Sequence, residues 1–128
     1  MIGRMILGSL AIAAMTGFAA MPAFADEGQE VTTAAQHAGM AAGSADIKMV
    51  HMHLHHVVNC LVGPTGDGFD KAAGNPCDGK GNGALMDGPG DKKAGIDDAI
   101  AKAKAGIAAD DIDASKKLAG EAQASLTK

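Results

Sequence analysis

Apolar residues recur at helical spacing over residues 47–61, and this pattern predicts an amphipathic helix. At about 100° per residue, one face of roughly 100° collects six apolar side chains: Ile47, Val50, Leu54, Val57, Val58 and Leu61. Ser44 or Asp46 suits the N-cap, and Gly63-Pro64 ends the pattern. The segment therefore predicts a helix with one buried face.

Three further segments show weaker helical patterns. The first runs over residues 30–42 and stops at Gly43-Ser44. The second begins near Asp91, with a narrow apolar stripe flanked by lysines, and the third begins after Asp110 or Asp111. Helices joined by short turns pack antiparallel. We therefore predict an all-α fold, a four-helix bundle of two hairpins over residues 30–61 and 91–127.

The two predicted hairpins resemble each other in sequence. Residues 39–47 align with residues 106–112 when two residues of the first segment are deleted. Leu61 and Leu126 each lie 14 residues after the matched isoleucines, Ile47 and Ile112. The match predicts that the bundle arose by duplication of one helical hairpin.

A glycine-rich loop over residues 62–90 separates the hairpins. It holds nine glycines and three prolines, so it cannot be helical throughout. Cys60 and Cys77 are the two cysteines of the chain, and a disulfide between them would pin this loop to the second helix. Closing 16 intervening residues would contribute about 3 kcal/mol. The alternative is a free Cys60 thiolate that binds metal.

The N-terminal pattern predicts export. Residues 1–25 combine Arg4, an uncharged apolar stretch and Ala23-Phe24-Ala25, the three parts of a secretory signal peptide. A single domain over residues 26–128 would then be periplasmic or secreted, with no membrane attachment. It carries 10 lysines against 15 acidic residues, which argues against nucleic acid and suits a cationic partner. Alanines dominate its apolar residues, which predicts a thin core.

Residues 51–56 carry four of the five histidines, separated by Met52 and Leu54. On the helical projection His51 and His55 lie on one flank of the apolar face, and His53, His56 and Met52 lie on the other. Side chains three or four residues apart on a helix can bind one ion. His37 on the first helix, an aspartate or a second chain would complete the ligands. Imidazole suits copper, nickel and zinc, and the thioether favours copper.

These features together resemble the small periplasmic His-rich metal-binding proteins that fold as four-helix bundles. The resemblance rests on the export pattern, the Ala-rich hairpins and the histidines of residues 51–56. It implies a metal buffer or carrier. Proteins of this kind carry histidines on all helices, whereas residues 91–128 contain none, which implies one local site.

Three other interpretations stay open. The histidines could be ordinary surface residues of a small helix. The bundle could hold a b-type haem between His or Met ligands and transfer electrons. Covalent c-type attachment is excluded, because the sequence has no Cys-x-x-Cys-His. The second helix and loop could instead bind another periplasmic protein. No nucleophile or phosphate-binding motif is present, so we do not expect an enzyme.

Overall fold

The computed structural model describes residues 27–128, and the predicted signal peptide lies outside this range. The described residues form five helices and no strand, which confirms the all-α prediction. The helices are α1 (Glu27–Gly43), α2 (Ile47–Val62), α3 (Ala84–Asp87), α4 (Lys93–Ala108) and α5 (Ile112–Leu126). The pattern did not predict α3, a single turn within the glycine-rich loop.

The four long helices form a bundle of two hairpins. Helices α1 and α2 pack together, as do α4 and α5, while α1 also packs on α5 and α2 on α4. The short helix α3 contacts α1, α2 and α4. Helix α1 begins at Glu27, three residues before the predicted start. Helix α4 begins at Lys93, two residues after the predicted start at Asp91. That the hairpins arose by duplication stays a prediction.

Aspartates begin the second helix of each hairpin. The carboxylate of Asp46 accepts hydrogen bonds from the backbone N–H groups of Lys48 and Met49. Asp111 accepts one from the N–H of Ala114. Such caps satisfy N–H groups that have no partner within the helix. Each capping aspartate directly precedes one of the two matched isoleucines, so the turns of the two hairpins end alike.

The core is built from α2 and from alanines of the other helices. Val50, Leu54, Val57 and Leu61 are fully buried, as the apolar pattern of α2 predicts, whereas Ile47 at the first position of the helix is only half-buried. The facing helices contribute mainly alanine: Ala34, Ala38, Ala41, Ala99, Ala103, Ala119 and Ala122. A Cβ atom at Gly106 would lie 2.6 Å from Leu54 Cδ1, so glycine permits the close approach of α4 to α2 here.

The loop between the hairpins is attached to the bundle at several points. Cys60 and Cys77 form a disulfide, with their Cα atoms 5.2 Å apart. The buried Glu30 carboxylate accepts a hydrogen bond from the N–H of Gly83 at 2.8 Å. Phe69 and Leu85 pack against the core from the loop side. Because the loop is fixed in this way, its backbone can take part in a site on α2.

Within residues 27–128, every helix is too short or too polar to cross a lipid bilayer. The disulfide is typical of a chain that folds in an oxidising compartment.

Candidate metal site

Three histidines from two helices meet where α1 packs against α2. His37 Nδ1 lies 3.1 Å from His53 Nδ1 and 3.3 Å from His56 Nδ1. One ring nitrogen of each lies within 4.8 Å of the other two. Zinc–imidazole bonds of about 2.0–2.1 Å place two nitrogens of a tetrahedral site roughly 3.3 Å apart. The separations therefore suit three ligands of one metal ion.

The local sequence explains why these side chains converge. His53 and His56 are three residues apart on α2, so they project from one flank of the helix. The apolar face beside that flank is buried in the core, which leaves the flank at the edge of the α1–α2 contact. His37 reaches this edge from α1, which runs antiparallel to α2. All three side chains are half-buried.

His56 is held in one tautomer by the glycine-rich loop. Its Nε2 lies 2.8 Å from the carbonyl oxygen of Ala73. Because a carbonyl oxygen only accepts hydrogen bonds, Nε2 carries the proton and the neutral ring has its lone pair on Nδ1. This Nδ1 is the atom that faces His37. Histidines that bind metals commonly donate their other ring N–H to a carbonyl or carboxylate in this way.

The electrostatic environment keeps two of the rings neutral near pH 7. Burial, followed in order by the neighbouring His56, His53 and Lys80, lowers the pKa of His37 from 6.5 to about 4. Burial also lowers the pKa of His53, with a smaller contribution from His56. A metal ion binds the neutral imidazole. The cluster therefore has nitrogen lone pairs available at neutral pH, and protons compete weakly for them.

A cation borders the cluster on the side of α1. The ammonium group of Lys80 donates a hydrogen bond to Thr33 Oγ1 at 2.9 Å. Thr33 lies one helical turn before His37. This lysine therefore brings the glycine-rich loop close to the histidines at a second place and adds positive charge there.

The structure does not bring His51 and His55 into this cluster. His51 Nε2 lies 3.0 Å from the carbonyl oxygen of Ala109, the residue that caps the C-terminus of α4. His55 Nδ1 lies 3.4 Å from the carboxylate of Asp70 in the loop. Each histidine thus connects α2 to a neighbouring segment. His51 and His55 were also predicted as metal ligands, but the structure does not place them with His37, His53 and His56.

Two sulfur-containing residues, Cys60 and Met52, were also candidate ligands. The Cys60 sulfur is bonded to Cys77, so the alternative of a free thiolate ligand is wrong for this structure. Met52 is half-buried beside His53 on α2, and its thioether as a ligand stays a prediction. In residues 27–128, the three histidines are the one group of His, Cys, Asp or Glu side chains arranged to hold a metal ion.

Two parts of the arrangement could not be found from the sequence. The acceptor for His56 is a main-chain carbonyl, which any residue at position 73 would supply. Asn59, which holds the loop beside this carbonyl, lies on a helix flank among apolar residues and resembles no motif.

Searches of protein-family models, curated proteins and solved structures found no match to this chain.

Proposed function

We propose that this protein binds one transition-metal ion through His37, His53 and His56 and acts as an exported metal buffer or carrier. The observation that carries the proposal is the convergence of three Nδ1 atoms, with separations of 3.1 and 3.3 Å from His37. The ligand set is narrower than the one predicted from the sequence, because it omits His51 and His55.

The chemistry of the ligands suits a borderline metal. Three imidazoles bind copper, nickel or zinc, and they leave at least one coordination position open. Copper is favoured over the other two if Met52 supplies a thioether, since soft ligands select Cu(I). An open position on a half-buried site allows the ion to be passed on, which is what a buffer or carrier requires. The acidic chain favours a cation as its ligand.

A haem is a poorer fit to the same histidines. Two axial ligands of a haem iron must lie on opposite faces of the porphyrin. The nitrogens of His37 and His53 are 3.1 Å apart, which leaves no room for the ring between them. A single ion fits this space, so the metal interpretation is preferred over a b-type haem.

The location outside the cytoplasm is part of the proposal. The support is the disulfide between Cys60 and Cys77 together with the export pattern of residues 1–25. A buffer or carrier in such a compartment would meet metal ions before they enter the cell. We do not assign an enzymatic activity to the site.

Calorimetric titration with Cu(II), Cu(I), Ni(II) and Zn(II) tests the proposal. Replacing His37, His53 and His56 together by alanine should abolish binding. The matched control is the His51→Ala/His55→Ala variant, which removes the same side chain from the other flank of α2 and should bind as the native chain does. Binding that survives the triple replacement, or that the control abolishes, would contradict the assignment.

A further inference from the structure

Three contacts between α2 and the glycine-rich loop follow one another in the same order along both segments. His56 contacts Ala73, Asn59 contacts Gly74, and Cys60 is bonded to Cys77. The first contact orients a candidate metal ligand, and the last is covalent. The loop is therefore attached to α2 beside the metal site by a continuous row of interactions.

Asn59 holds the loop on both sides of Ala73. It is fully buried, and its Nδ2 group donates to the carbonyl oxygens of Asp70 at 2.8 Å and Gly74 at 2.6 Å. Its Oδ1 accepts from the N–H of Asp70 at 2.8 Å. The amide thus fixes the backbone before and after Ala73, and the carbonyl of Ala73 has a defined position as a result.

The disulfide fixes the same loop covalently. Cys77 lies four residues after Ala73, and Cys60 lies one helical turn after His56. The segment that it closes contains Gly63, Gly66, Gly68 and Gly74, which give the chain many other conformations. A cross-link removes most of these conformations. Without it, the carbonyl of Ala73 would be held beside His56 less often.

We infer that Asn59 and the Cys60–Cys77 disulfide are positioning groups for the metal site, so that the chain reaches its full metal affinity only after the disulfide has formed. Both act through the Ala73 carbonyl, which keeps the proton of His56 on Nε2 and directs Nδ1 at His37. This inference rests on the proposed function of the three histidines. It adds a dependence of that function on the redox state of two residues that are not ligands.

The step that completes the site is a thiol–disulfide exchange. The thiols of Cys60 and Cys77 react with a disulfide-containing oxidant. The new Cys60–Cys77 bond forms as the disulfide of the oxidant breaks, and the oxidant takes up the two electrons and two protons as two thiols. Both cysteines are buried in the folded chain, with 0 % and 2 % of their surface exposed, so the bond is protected once it has formed. Without the disulfide, the three histidines accordingly bind metal more weakly.

Removing the hydrogen-bond partner of a metal-binding histidine typically weakens metal binding 10- to 100-fold. We therefore expect Cys60→Ala/Cys77→Ala to raise the Kd for Zn(II) by about 10-fold or more relative to the oxidised native chain. Alanine is chosen because it leaves no thiol that could itself bind zinc. Asn59→Ala, with the disulfide intact, should raise the Kd by a similar factor. Competition with a chromogenic chelator measures all three values.

A spectroscopic readout separates positioning from general destabilisation. Long-range ¹H–¹⁵N spectra of the metal-free proteins report which ring nitrogen of His56 carries the proton. The native chain should show Nε2–H alone, and both variants should show a mixture of tautomers. The stability control is Ser115→Ala, which removes a buried hydrogen bond to Gly106 O between α4 and α5. This control should leave both the Kd and the His56 spectrum unchanged.

The outcomes distinguish the two proposals. If the oxidised native chain binds neither zinc nor any other ion of the calorimetric titration, the proposed function fails, and the His56 spectrum still tests the positioning role. If the native chain binds and Asn59→Ala and Cys60→Ala/Cys77→Ala bind equally well, the inference is overturned while the function stands. Should the cysteine variant fail to fold, Asn59→Ala decides alone, because its disulfide remains.

Discussion

Acid should destabilise the metal-free protein through His37. The pKa of this ring falls from the usual 6.5 to about 4 because burial disfavours the charged form. Between these two values the unfolded chain binds more protons than the folded chain, so the free energy of unfolding decreases as the pH falls. Well above pH 6.5 both states are neutral at this residue, and its contribution to the pH dependence disappears.

The size of the effect follows from the pKa change. A drop from 6.5 to about 4 corresponds to at most about 3.4 kcal/mol. His37 is only half-buried, and solvent screening reduces the expected loss to about 1–2 kcal/mol. Replacement by glutamine removes the titrating group, so His37→Gln should lose correspondingly less stability over the same range.

Urea denaturation at pH 7 and at pH 4.5, in the presence of a chelator, measures this difference. His51→Gln is the matched control, since it removes a histidine of the same bundle that lies outside the cluster. Between pH 7 and pH 4.5, the free energy of unfolding of the native chain and of this control should fall by about 1–2 kcal/mol more than that of His37→Gln. The reasoning is refuted if His37→Gln shows the same pH dependence as the native chain.

Two other outcomes are expected. Zinc at 100 times its Kd should stabilise the native chain by about 2.7 kcal/mol and raise its Tm, and it should leave the Tm of His53→Ala unchanged. Differential scanning fluorimetry, with reversal by a chelator, measures the two Tm values. An equal rise of Tm in the native chain and in His53→Ala would count against the site. Leu54→Ala should lower the free energy of unfolding by about 2–5 kcal/mol in urea titrations, because Leu54 is fully buried in the core cluster. A loss below about 1 kcal/mol would mean that the core around α2 rearranges to fill the cavity.

The apolar pattern of α2 was enough to predict the parts of the fold that depend on local sequence. It identified most of the buried face, the separation of the histidines into two flanks and Asp46 as one of two candidate N-caps. The two flanks indeed have different surroundings, since His53 faces α1 and His51 faces the end of α4. These features follow from the spacing of residues along a helix, which can be read directly from the sequence.

The composition of the site depended on long-range packing and was predicted only in part. His37 was a candidate because a hairpin brings α1 back along α2, but the sequence did not show which flank it would meet. The carbonyl of Ala73 and the amide of Asn59 were not predicted, because both act through backbone atoms of a glycine-rich loop. The turn α3 was missed because it is short and lies among glycines.

The thin core explains why the site and the loop matter to this fold. Most buried side chains outside α2 are alanines, which bury little apolar area each. A domain of this size with little burial needs additional links between its segments. The disulfide supplies one link between α2 and the loop, and a bound ion would supply another between α1 and α2. Both links fall on the first hairpin and its loop, while α4 and α5 carry no histidine. Metal binding in this protein should therefore be coupled to the stability of the first hairpin, whichever ion is bound.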